Sequence, residues 1–330
     1  MGIDEVSDRY FIVGGAGFIG SHFTDRLLST RETKKVTLYD NFSSGREWHY
    51  AQHAKDDRFS VVRGDVKELD KLRGAMNGHD VVIHLASNPD IAKAVTEPTI
   101  DFYEGTLLTN NVVEAMRTSS AKRLLYASGS GVYGDLGDKE AQEDHGPLLP
   151  ISTYGASKLA GEALIMSYCF MFGLTACAFR FGNVVGPRQT HGVGFDFARR
   201  LIADPTRLRV LGDGSQSKSY IHVEDVVRAV LTAHTKTAAA FQVYNVATGD
   251  YITVKEIAEL AVECVGAKRT TFEYTGGDRG WKGDVPVVRL NTDRIKATGW
   301  RCERTSKAAL DASIRSMIDD VRAGRIEKHT

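Results

Sequence analysis

Short apolar runs alternate with segments of helical periodicity through the first half of this 330-residue chain. Runs such as RYFIV, KKVTLYD and DVVIHLAS have the length and composition of buried strands. Between such runs, apolar residues recur at three- and four-residue spacing, as in FIGSHFTDRLLS and TLLTNNVVEAMRTS. Strands that alternate with helices are joined by crossovers, so the pattern predicts an α/β fold with a doubly wound parallel sheet covered on both faces.

After Asn183 this alternation is lost. Loop-rich segments such as VVGPRQTHGVG and YTGGDRGWKGDVP have no clear periodicity, although AAFQVYNVATGD still has the pattern of a strand. We therefore expect a sheet domain over residues 1–180, with a return segment near 221–248. Residues 181–330 would form a smaller, interleaved C-terminal domain.

Composition and charge indicate which kinds of molecule this protein is not expected to bind. The 42 Lys and Arg residues balance 42 Asp and Glu residues, which disfavours a nucleic-acid-binding protein. No apolar run reaches the about 18 residues of a membrane helix, and the polar N-terminus lacks a signal peptide. The four cysteines form no CxxC pair and the ten histidines show no metal-site spacing. We expect a cytoplasmic protein with free thiols and without a metal, nucleic-acid or membrane partner.

The segment IVGGAGFIG places Gly14, Gly17 and Gly20 between the first strand and the first helix. The first glycine allows a tight turn, the second lets backbone approach a pyrophosphate, and the third permits close helix packing. Asp40 ends the second strand 20 residues after Gly20, where an acid binds the ribose hydroxyls of a dinucleotide. Its carboxylate would repel the 2′-phosphate of NADP, so NAD is favoured, although Arg46 is close enough in sequence to reach such a phosphate.

Tyr154 and Lys158 lie four residues apart in the segment STYGASK and would share one face of a helix. A free tyrosine has a pKa near ~10, and lowering it to ~7 takes about 4 kcal/mol of preference for the phenolate. A lysine ammonium and the positive nicotinamide ring of NAD⁺ can supply that preference. A Tyr-x-x-x-Lys pair alone is common in helices, but after the glycine turn and SGSGVYG it predicts a catalytic pair.

With these motifs the chain resembles the extended short-chain dehydrogenases/reductases, and among them the UDP-glucose 4-epimerases. The resemblance extends over GGAGFIGSH, DNFSSG, RGDV, VIHLAS, SGVYGD, TYGASK, RFGNVVGPR and GDRGWKGDVP. The last two, with HGV and VLGDGSQSKSY, are most similar to the archaeal-type branch. The resemblance implies a Rossmann sheet, bound NAD, a nucleotide-sugar substrate, and a homodimer that pairs the helices near 106–116 and 153–172 into a four-helix bundle. The second of these helices is also apolar on more than its sheet-facing side, which suits burial against a partner.

The resemblance also assigns ligand contacts. Cofactor contacts fall on the glycine turn, on the segment after the second strand and on the ends of later strands: Gly14, Gly17, Phe18, Ile19, Gly20, Asp40, Asn41, Ser43, Gly45, Asp65, Val66, Leu85, Ala86, Ser87, Tyr154, Lys158 and Phe181. Substrate contacts fall on Asn183, Lys218 and Arg279, and Lys218 stands where many relatives have arginine.

In the implied reaction Tyr154 takes the proton of the sugar 4-hydroxyl, and the C4 hydride passes to NAD⁺ and returns to the other face of the 4-keto sugar. Related dehydratases carry an Asp-Glu pair immediately before the VYG valine, where this chain has Ser130 and Gly131. Without that carboxylate, elimination lacks an acid or base, which favours epimerisation. The alternatives are another nucleotide-sugar enzyme (a UDP-glucuronate 4-epimerase, a 4-keto-sugar reductase or a decarboxylase) or a catalytically weakened NAD-binding regulatory protein. Neither the sugar nor the nucleotide follows from the sequence.

Two positions depart from the family pattern. Gly129 occupies the place of a catalytic serine or threonine, and Gly105 that of an asparagine near the cofactor. Side chains alternate along a strand, so Ser128 and Ser130 should point away from the side that position 129 faces. Because glycine permits unusual dihedral angles, a local shift would bring Ser130 to the substrate, and we predict Ser130 as the third catalytic residue. Ser128, a water molecule, or no hydroxyl at all remain alternatives.

Overall fold

The structure, a computed structural model, describes residues 8–326 and contains a seven-stranded sheet. Its strands are β1 (Arg9–Val13), β2 (Lys35–Asp40), β3 (Phe59–Arg63), β4 (Val81–His84), β5 (Arg123–Gly129), β6 (Thr175–Phe181) and β7 (Phe241–Val246). Their spatial order is β7-β6-β5-β4-β1-β2-β3, and the pairs β1–β2, β1–β4, β2–β3 and β4–β5 are parallel. The strand order reverses beside β1, and ligands of doubly wound sheets bind at the carboxyl ends of the strands at such a reversal. The predicted fold class is confirmed.

Helices connect and flank these strands. They are α1 (Phe18–Leu28), α2 (Leu69–Met76), α3 (Leu107–Arg117), α4 (Thr153–Phe172), α5 (Val193–Ala203), α6 (Val223–Lys236), α7 (Val254–Val265), α8 (Asp293–Lys296) and α9 (Ser306–Arg322). A 3₁₀ turn follows β5 at Ser130–Tyr133, and a π-helical turn precedes α3 at Phe102–Thr106. Within residues 8–326 the structure has no helix with the length and apolar character needed to span a bilayer.

The chain divides into two compact units. The first comprises the chain up to Gly129, Ala156–Arg180 and Val230–Tyr244. Its core lies between the sheet and the helices, where strand residues such as Phe11 and Leu124 belong to one buried cluster with helix residues such as Val112 and Met116. These side chains come from the apolar runs and the apolar helix faces seen in the sequence. They pack together because burying both sets against each other removes their apolar surface from water.

The second unit comprises Ser130–Gly155, Phe181–Ala229 and the chain from Asn245 onward. Its core is formed by α5, α7 and α9, with Leu201, Leu260 and Ile314 among the buried residues. Four two-stranded pairs accompany these helices: Asn183–Val185 with Tyr220–His222, Arg207–Val210 with Thr271–Tyr274, Ser217–Lys218 with Ile252–Thr253, and Glu140–Ala141 with Arg289–Leu290. Loops held by a rigid scaffold commonly carry the residues that bind a ligand.

Candidate active site

The turn between β1 and α1 contains three glycines with different surroundings. A Cβ on Gly14, whose φ is +77°, would lie 2.7 Å from the backbone nitrogen of Ala86. A Cβ on Gly20 would lie 2.5 Å from the carbonyl oxygen of Gly15, whereas the nearest protein atom at Gly17 would be 3.4 Å away. Gly14 and Gly20 are therefore required by packing within the protein. The missing side chain at Gly17 leaves space beside the N-terminus of α1, where backbone N–H groups favour an anion such as a pyrophosphate.

Asp40, the last residue of β2, is buried and binds the same turn. Its Oδ2 accepts a hydrogen bond from the backbone N–H of Ala16 at 2.9 Å, and its Oδ1 accepts one from that of Phe42 at 2.7 Å. Burial raises the pKa of the Asp40 carboxyl, and the two backbone hydrogen bonds oppose that rise. Each oxygen has a further lone pair, so Asp40 retains acceptors for ribose hydroxyls. Its role in holding the glycine turn was not predicted from sequence spacing.

The segment after β2 folds back against the glycine turn. A Cβ on Gly45 would lie 2.8 Å from the Cβ of Ala16, so only glycine fits at this approach. The Oδ1 of Asn41 accepts a hydrogen bond from the backbone N–H of Ser43 at 3.0 Å, and its Nδ2 donates to Oδ2 of Asp65 at 3.3 Å. The predicted cofactor residues after β2 and β3 are thereby brought together.

The loops after β3 and β4 are held by backbone contacts. The Tyr39 hydroxyl donates to the carbonyl oxygen of Asp65 at 3.0 Å, and Nδ2 of Asn111 donates to that of Val66 at 3.1 Å. Sequence reasoning missed both supporting residues, although a buried tyrosine in β2 and an asparagine on the apolar face of α3 are signals of such a role. Their hydrogen bonds hold the backbone of the predicted adenine contacts.

The backbone N–H groups of Leu85 and Ala86 both donate to the carbonyl oxygen of Val13, at 2.9 and 3.1 Å. This bifurcated arrangement places the end of β4 against the end of β1, and Ser87 follows with a partly exposed side chain. Because Ala86 also contacts Gly14, the predicted nicotinamide-side segment and the glycine turn adjoin each other. Phe181, by contrast, is a buried residue at the end of β6.

Tyr154 and Lys158 lie one turn apart on α4. Tyr154 is partly exposed, whereas Lys158 is buried and its Nζ donates to the carbonyl oxygen of Ala127 at 2.8 Å. Burial lowers the pKa of Lys158 to about 8, and the carboxylates of Asp101 and Glu162 oppose that fall. At neutral pH the ammonium is therefore mostly protonated, so a positive charge lies one helical turn from the phenol.

Glu162 follows Lys158 on the same face of α4 and forms a buried ion pair. The Arg180 guanidinium donates from Nε and Nη2 to its two carboxylate oxygens, at 3.0 and 2.7 Å. The hydroxyl of Ser128 donates to Oε1 of Glu162 at 2.5 Å. Sequence reasoning missed this group, although the four-residue spacing from Lys158 to Glu162 is a signal that indicates a shared helix face.

The 3₁₀ turn that begins at Ser130 contacts the start of α4. A Cβ on Gly155 would lie 2.4 Å from the carbonyl oxygen of Gly131, so the backbones of the turn and the helix touch beside Tyr154. Ser130 is partly exposed, and its hydroxyl makes no hydrogen bond to another residue between positions 8 and 326. Its hydroxyl therefore remains available to a ligand bound next to Tyr154.

The structure also accounts for Gly105, which lies in the π-helical turn before α3. A Cβ at this position would lie 2.2 Å from Oγ of Ser157, which accepts a hydrogen bond from the Thr106 hydroxyl at 3.2 Å. An asparagine at position 105 would therefore require Ser157 to move. Ser157, the residue before Lys158 in α4, thus has its hydroxyl in the space that a side chain at position 105 would need.

In the second unit Asn183 adjoins the chain segment of Lys218, and Lys218 and Arg279 share a partner residue. The backbone N–H of Asn183 donates to the carbonyl oxygen of Ser219 at 3.0 Å, next to Lys218. Nζ of Lys218 donates to Oδ1 of Asp284 at 2.6 Å, and Nη1 of Arg279 donates to the carbonyl oxygen of the same residue at 2.5 Å. Asp284 thus connects the two cations. Sequence reasoning did not single it out, although it lies in the motif GDRGWKGDVP.

Known proteins resemble this chain over most of its length. The UDP-glucose 4-epimerase of Mycolicibacterium smegmatis is 33% identical over 89% of this chain and 93% of its own. A relative from the archaeon Methanocaldococcus jannaschii, provisionally named a UDP-glucose 4-epimerase, is 29% identical over 94% of this chain and 99% of its own. A crystal structure of a UDP-galactose 4-epimerase superposes with a TM-score of 0.84 at 35% identity, covering 95% of this chain and 99% of that one. The relatives also include a dTDP-glucose 4,6-dehydratase from an Actinoplanes species, 29% identical over 290 residues.

A family model described as the NAD dependent epimerase/dehydratase family matches residues 10–247. This match covers all of the seven-stranded sheet except Arg9, and it includes the glycine turn and the Tyr154–Lys158 pair. The predicted family resemblance, the prediction of an enzyme and the prediction of NAD as its cofactor are confirmed. The chain belongs to the NAD dependent epimerase/dehydratase family.

Proposed function

We propose that this protein is an NAD-dependent 4-epimerase of nucleotide sugars, with UDP-glucose and UDP-galactose as its first candidate substrates. The observation that carries the proposal is the composition of the turn beside Tyr154. Ser130 and Gly131 occupy that turn, which touches α4 at Gly155, and neither has a carboxylate. Elimination of water needs a further acid or base next to the tyrosine, whereas reversible oxidation and reduction at C4 does not. Epimerisation is therefore the reaction that these residues suit.

Each residue of this group has a distinct task. Tyr154 accepts the proton of the sugar 4-hydroxyl, and the nearby Lys158 ammonium stabilises the phenolate that makes this possible. The Ser130 hydroxyl donates a hydrogen bond to the same oxygen while it carries negative charge. NAD, when bound, supplies the acceptor and then the donor of the C4 hydride. Tyr154 returns the proton when the sugar is reduced.

The residues of the first unit that would hold NAD fit that cofactor. Space at Gly17 and the N-terminus of α1 suit the pyrophosphate, and Asp40 suits the adenosine ribose. Because the cofactor is restored in each cycle, tight retention is compatible with turnover. We therefore expect NAD to remain with the protein through purification.

Asn183, Lys218 and Arg279 are the proposed contacts of the substrate diphosphate. Two cations held near one carboxylate form an anion site, since phosphate oxygens accept charge-assisted hydrogen bonds from both. Lysine has a compact charge without the planar fork of arginine. Lys218 would therefore attract the diphosphate, and Arg279 would also orient it through directed hydrogen bonds. A screen of nucleotide sugars, described below, identifies the nucleotide and the sugar of the substrate.

We also propose that the protein is a homodimer formed through α3 and α4. Exposed apolar side chains follow one side of α4, where Phe170 is 89% exposed, Met171 71% and Met166 47%. Such a stripe on a helix whose opposite side is buried in the core is costly in water and suits a helical interface.

The experiment starts with purified protein and no added cofactor. Release of NAD or NADH on denaturation would be measured by absorbance and chromatography. The protein would then be incubated with UDP-glucose or UDP-galactose, and with GDP-, dTDP- and CDP-linked sugars, and the products identified by NMR. We expect interconversion of two C4 epimers toward one equilibrium ratio from either side.

Tyr154→Phe is the matched control, because it removes the proton acceptor and keeps the ring. This variant should retain NAD and lose turnover, so residual activity within a few-fold of wild type would refute the role of Tyr154. A dehydrated 4-keto-6-deoxy product or a net yield of NADH from the wild type would refute epimerisation.

A further inference from the structure

Arg279 is already engaged by the chain itself. Its Nη2 donates to Oδ2 of Asp135 at 2.6 Å, and its Nη1 donates to the carbonyl oxygen of Asp284 at 2.5 Å. The remaining nitrogen, Nε, lies 4.0 Å from Oδ2 of Asp278. All three nitrogens of the guanidinium therefore face oxygen atoms of the second unit.

The two carboxylates nearest the cations differ in how firmly they are held. The Asp284 side chain is only 9% exposed; its Oδ1 binds Lys218 and its Oδ2 accepts a hydrogen bond from the backbone N–H of Gly280 at 3.1 Å. The Asp135 side chain is 28% exposed and follows Gly134, whose φ is +72°. Asp284 is thus part of the packed loop, whereas Asp135 lies on a loop exposed to water.

We propose that Asp135 competes with the diphosphate of the substrate for Arg279 and thereby sets the affinity of the site. This inference rests on the proposed function, because it takes the ligand to be a nucleoside diphosphate. Asp135 and Asp284 balance the charges of Lys218 and Arg279 through direct contacts, and Asp278 adds a third carboxylate 4.0 Å from Arg279. The two cations are therefore already neutralised before a ligand binds. A diphosphate that binds both cations must replace one carboxylate.

Asp135 is the carboxylate that leaves. Its charge is returned to water at little cost because the side chain is already part-exposed, and exposed ion pairs are weak. Phosphate oxygens bind the guanidinium fork with two parallel hydrogen bonds, which are stronger. Asp284 stays, because moving it would leave a buried charge and the Lys218 ammonium without partners. The pairing with Arg279 also holds the pKa of Asp135 below its usual range, so the carboxylate is charged at neutral pH.

Isothermal titration calorimetry with UDP tests this inference on the full-length protein. Asp135→Asn removes the charge and keeps the shape, and Asp135→Ala serves as a second variant if the first does not fold. Asp278→Asn is the matched control, because Asp278 is 73% exposed beside the same guanidinium but does not hydrogen bond to it. We expect both Asp135 variants to bind UDP roughly three- to tenfold more tightly, and Asp278→Asn to differ from wild type by less than about twofold.

The outcomes separate this inference from the proposed function. Equal UDP binding by wild type and both Asp135 variants overturns the competition and leaves the epimerase proposal intact, as does weaker binding by the variants. If Asp278→Asn gains as much UDP affinity as Asp135→Asn, the competition is overturned too. The gain would then come from the loss of any nearby negative charge and not from release of Arg279. If neither the wild type nor any variant binds UDP, GDP, dTDP or CDP, both the competition and the nucleotide-sugar function are overturned.

Discussion

The hydroxyl of Ser128 donates a 2.5 Å hydrogen bond to Oε1 of Glu162, whose carboxylate also binds Arg180. All three side chains are buried. A serine committed to a buried charge network is a poor donor for a substrate oxygen, because removing it from Glu162 would leave the carboxylate short of a partner. Ser128 is therefore a structural residue beside α4, and of the two serines Ser130 is the one with an available hydroxyl.

We expect Ser130→Ala to lower kcat by roughly ten- to hundred-fold, since one hydrogen bond to a charged oxygen contributes about 1.5–3 kcal/mol. Its thermal stability should stay close to that of the wild type. Ser128→Ala should instead lower the free energy of unfolding by about 1–3 kcal/mol and leave kcat of the folded protein nearly unchanged. Steady-state kinetics and thermal unfolding of both variants check this. Full activity in Ser130→Ala would assign the stabilisation of the 4-oxygen to a water molecule or to the Tyr154–Lys158 pair alone.

Substituting Asp40 should affect both the cofactor and the glycine turn. Asp40→Ala removes the proposed ribose acceptor and the bonds to the N–H groups of Ala16 and Phe42. We expect NAD affinity to fall by at least about tenfold and the melting temperature to fall with it. Asp40→Asn, which keeps one oxygen acceptor and loses the charge, should discriminate less against NADP at a smaller cost in stability. Calorimetric titration with NAD and NADP is the measurement, and unchanged NAD affinity with NADP still rejected would contradict the assignment.

The activity should depend on the protonation of Lys158. Because burial lowers its pKa to about 8, the ammonium is lost as the pH rises through that value, and kcat should decline above it. Asp101 and Glu162 favour the protonated form and keep this decline from beginning at lower pH. Lys158→Arg keeps its charge, so the residual activity of this variant should persist to higher pH. Profiles of kcat at saturating substrate test this, and an identical alkaline limb in both proteins would assign the limb to another group.

The same pKa shift has a consequence for the stability of the protein without cofactor. The folded state prefers neutral Lys158 and the unfolded state holds the proton up to about 10.5, so the free energy of unfolding should rise between pH about 8 and 10.5. The shift corresponds to about 3 kcal/mol. Lys158→Met should remove this rise, which urea unfolding at several pH values measures.

Gly105→Asn should destabilise the protein, because the new side chain would collide with Ser157. Overpacking of this kind costs about 1–3 kcal/mol. In the double variant Gly105→Asn/Ser157→Ala the closest atom is absent, so its stability should exceed the value expected from the two single changes. Gly74→Asn is the control, since a Cβ on Gly74 in α2 meets nothing within 4 Å. Additive effects in this cycle would show that Ser157 is not what excludes a side chain at position 105.

Phe170→Glu should convert the proposed dimer into a monomer at micromolar concentration, because a charge would then lie in the middle of the apolar stripe on α4. Leu149→Glu is the control: Leu149 is 64% exposed but lies outside α3 and α4. Light scattering coupled to size-exclusion chromatography distinguishes the two states. A wild-type monomer, or a dimer unaffected by Phe170→Glu, would contradict the interface.

Sequence alone was sufficient for features that depend on short-range periodicity and spacing. The alternation of strand and helix runs determined the α/β fold, and the glycine turn followed by Asp40 indicated the cofactor. The i, i+4 spacing of Tyr154 and Lys158 placed both on one helix, because a helix repeats every 3.6 residues wherever it lies. Each of these inferences concerns residues that are neighbours in the chain or in one regular element.

The tertiary structure decided which side chains meet when they are far apart in the chain. Ser128 binds Glu162, 34 residues away, and Arg279 binds Asp135, 144 residues away. Gly105 is matched to the hydroxyl of Ser157 on another helix. No periodic pattern specifies such contacts, because they depend on crossover connections and on packing to near-crystalline density. The partners of the Ser128 and Ser157 hydroxyls and of the Arg279 guanidinium are therefore decided by the folded chain, because only its packing brings such distant groups within hydrogen-bonding distance.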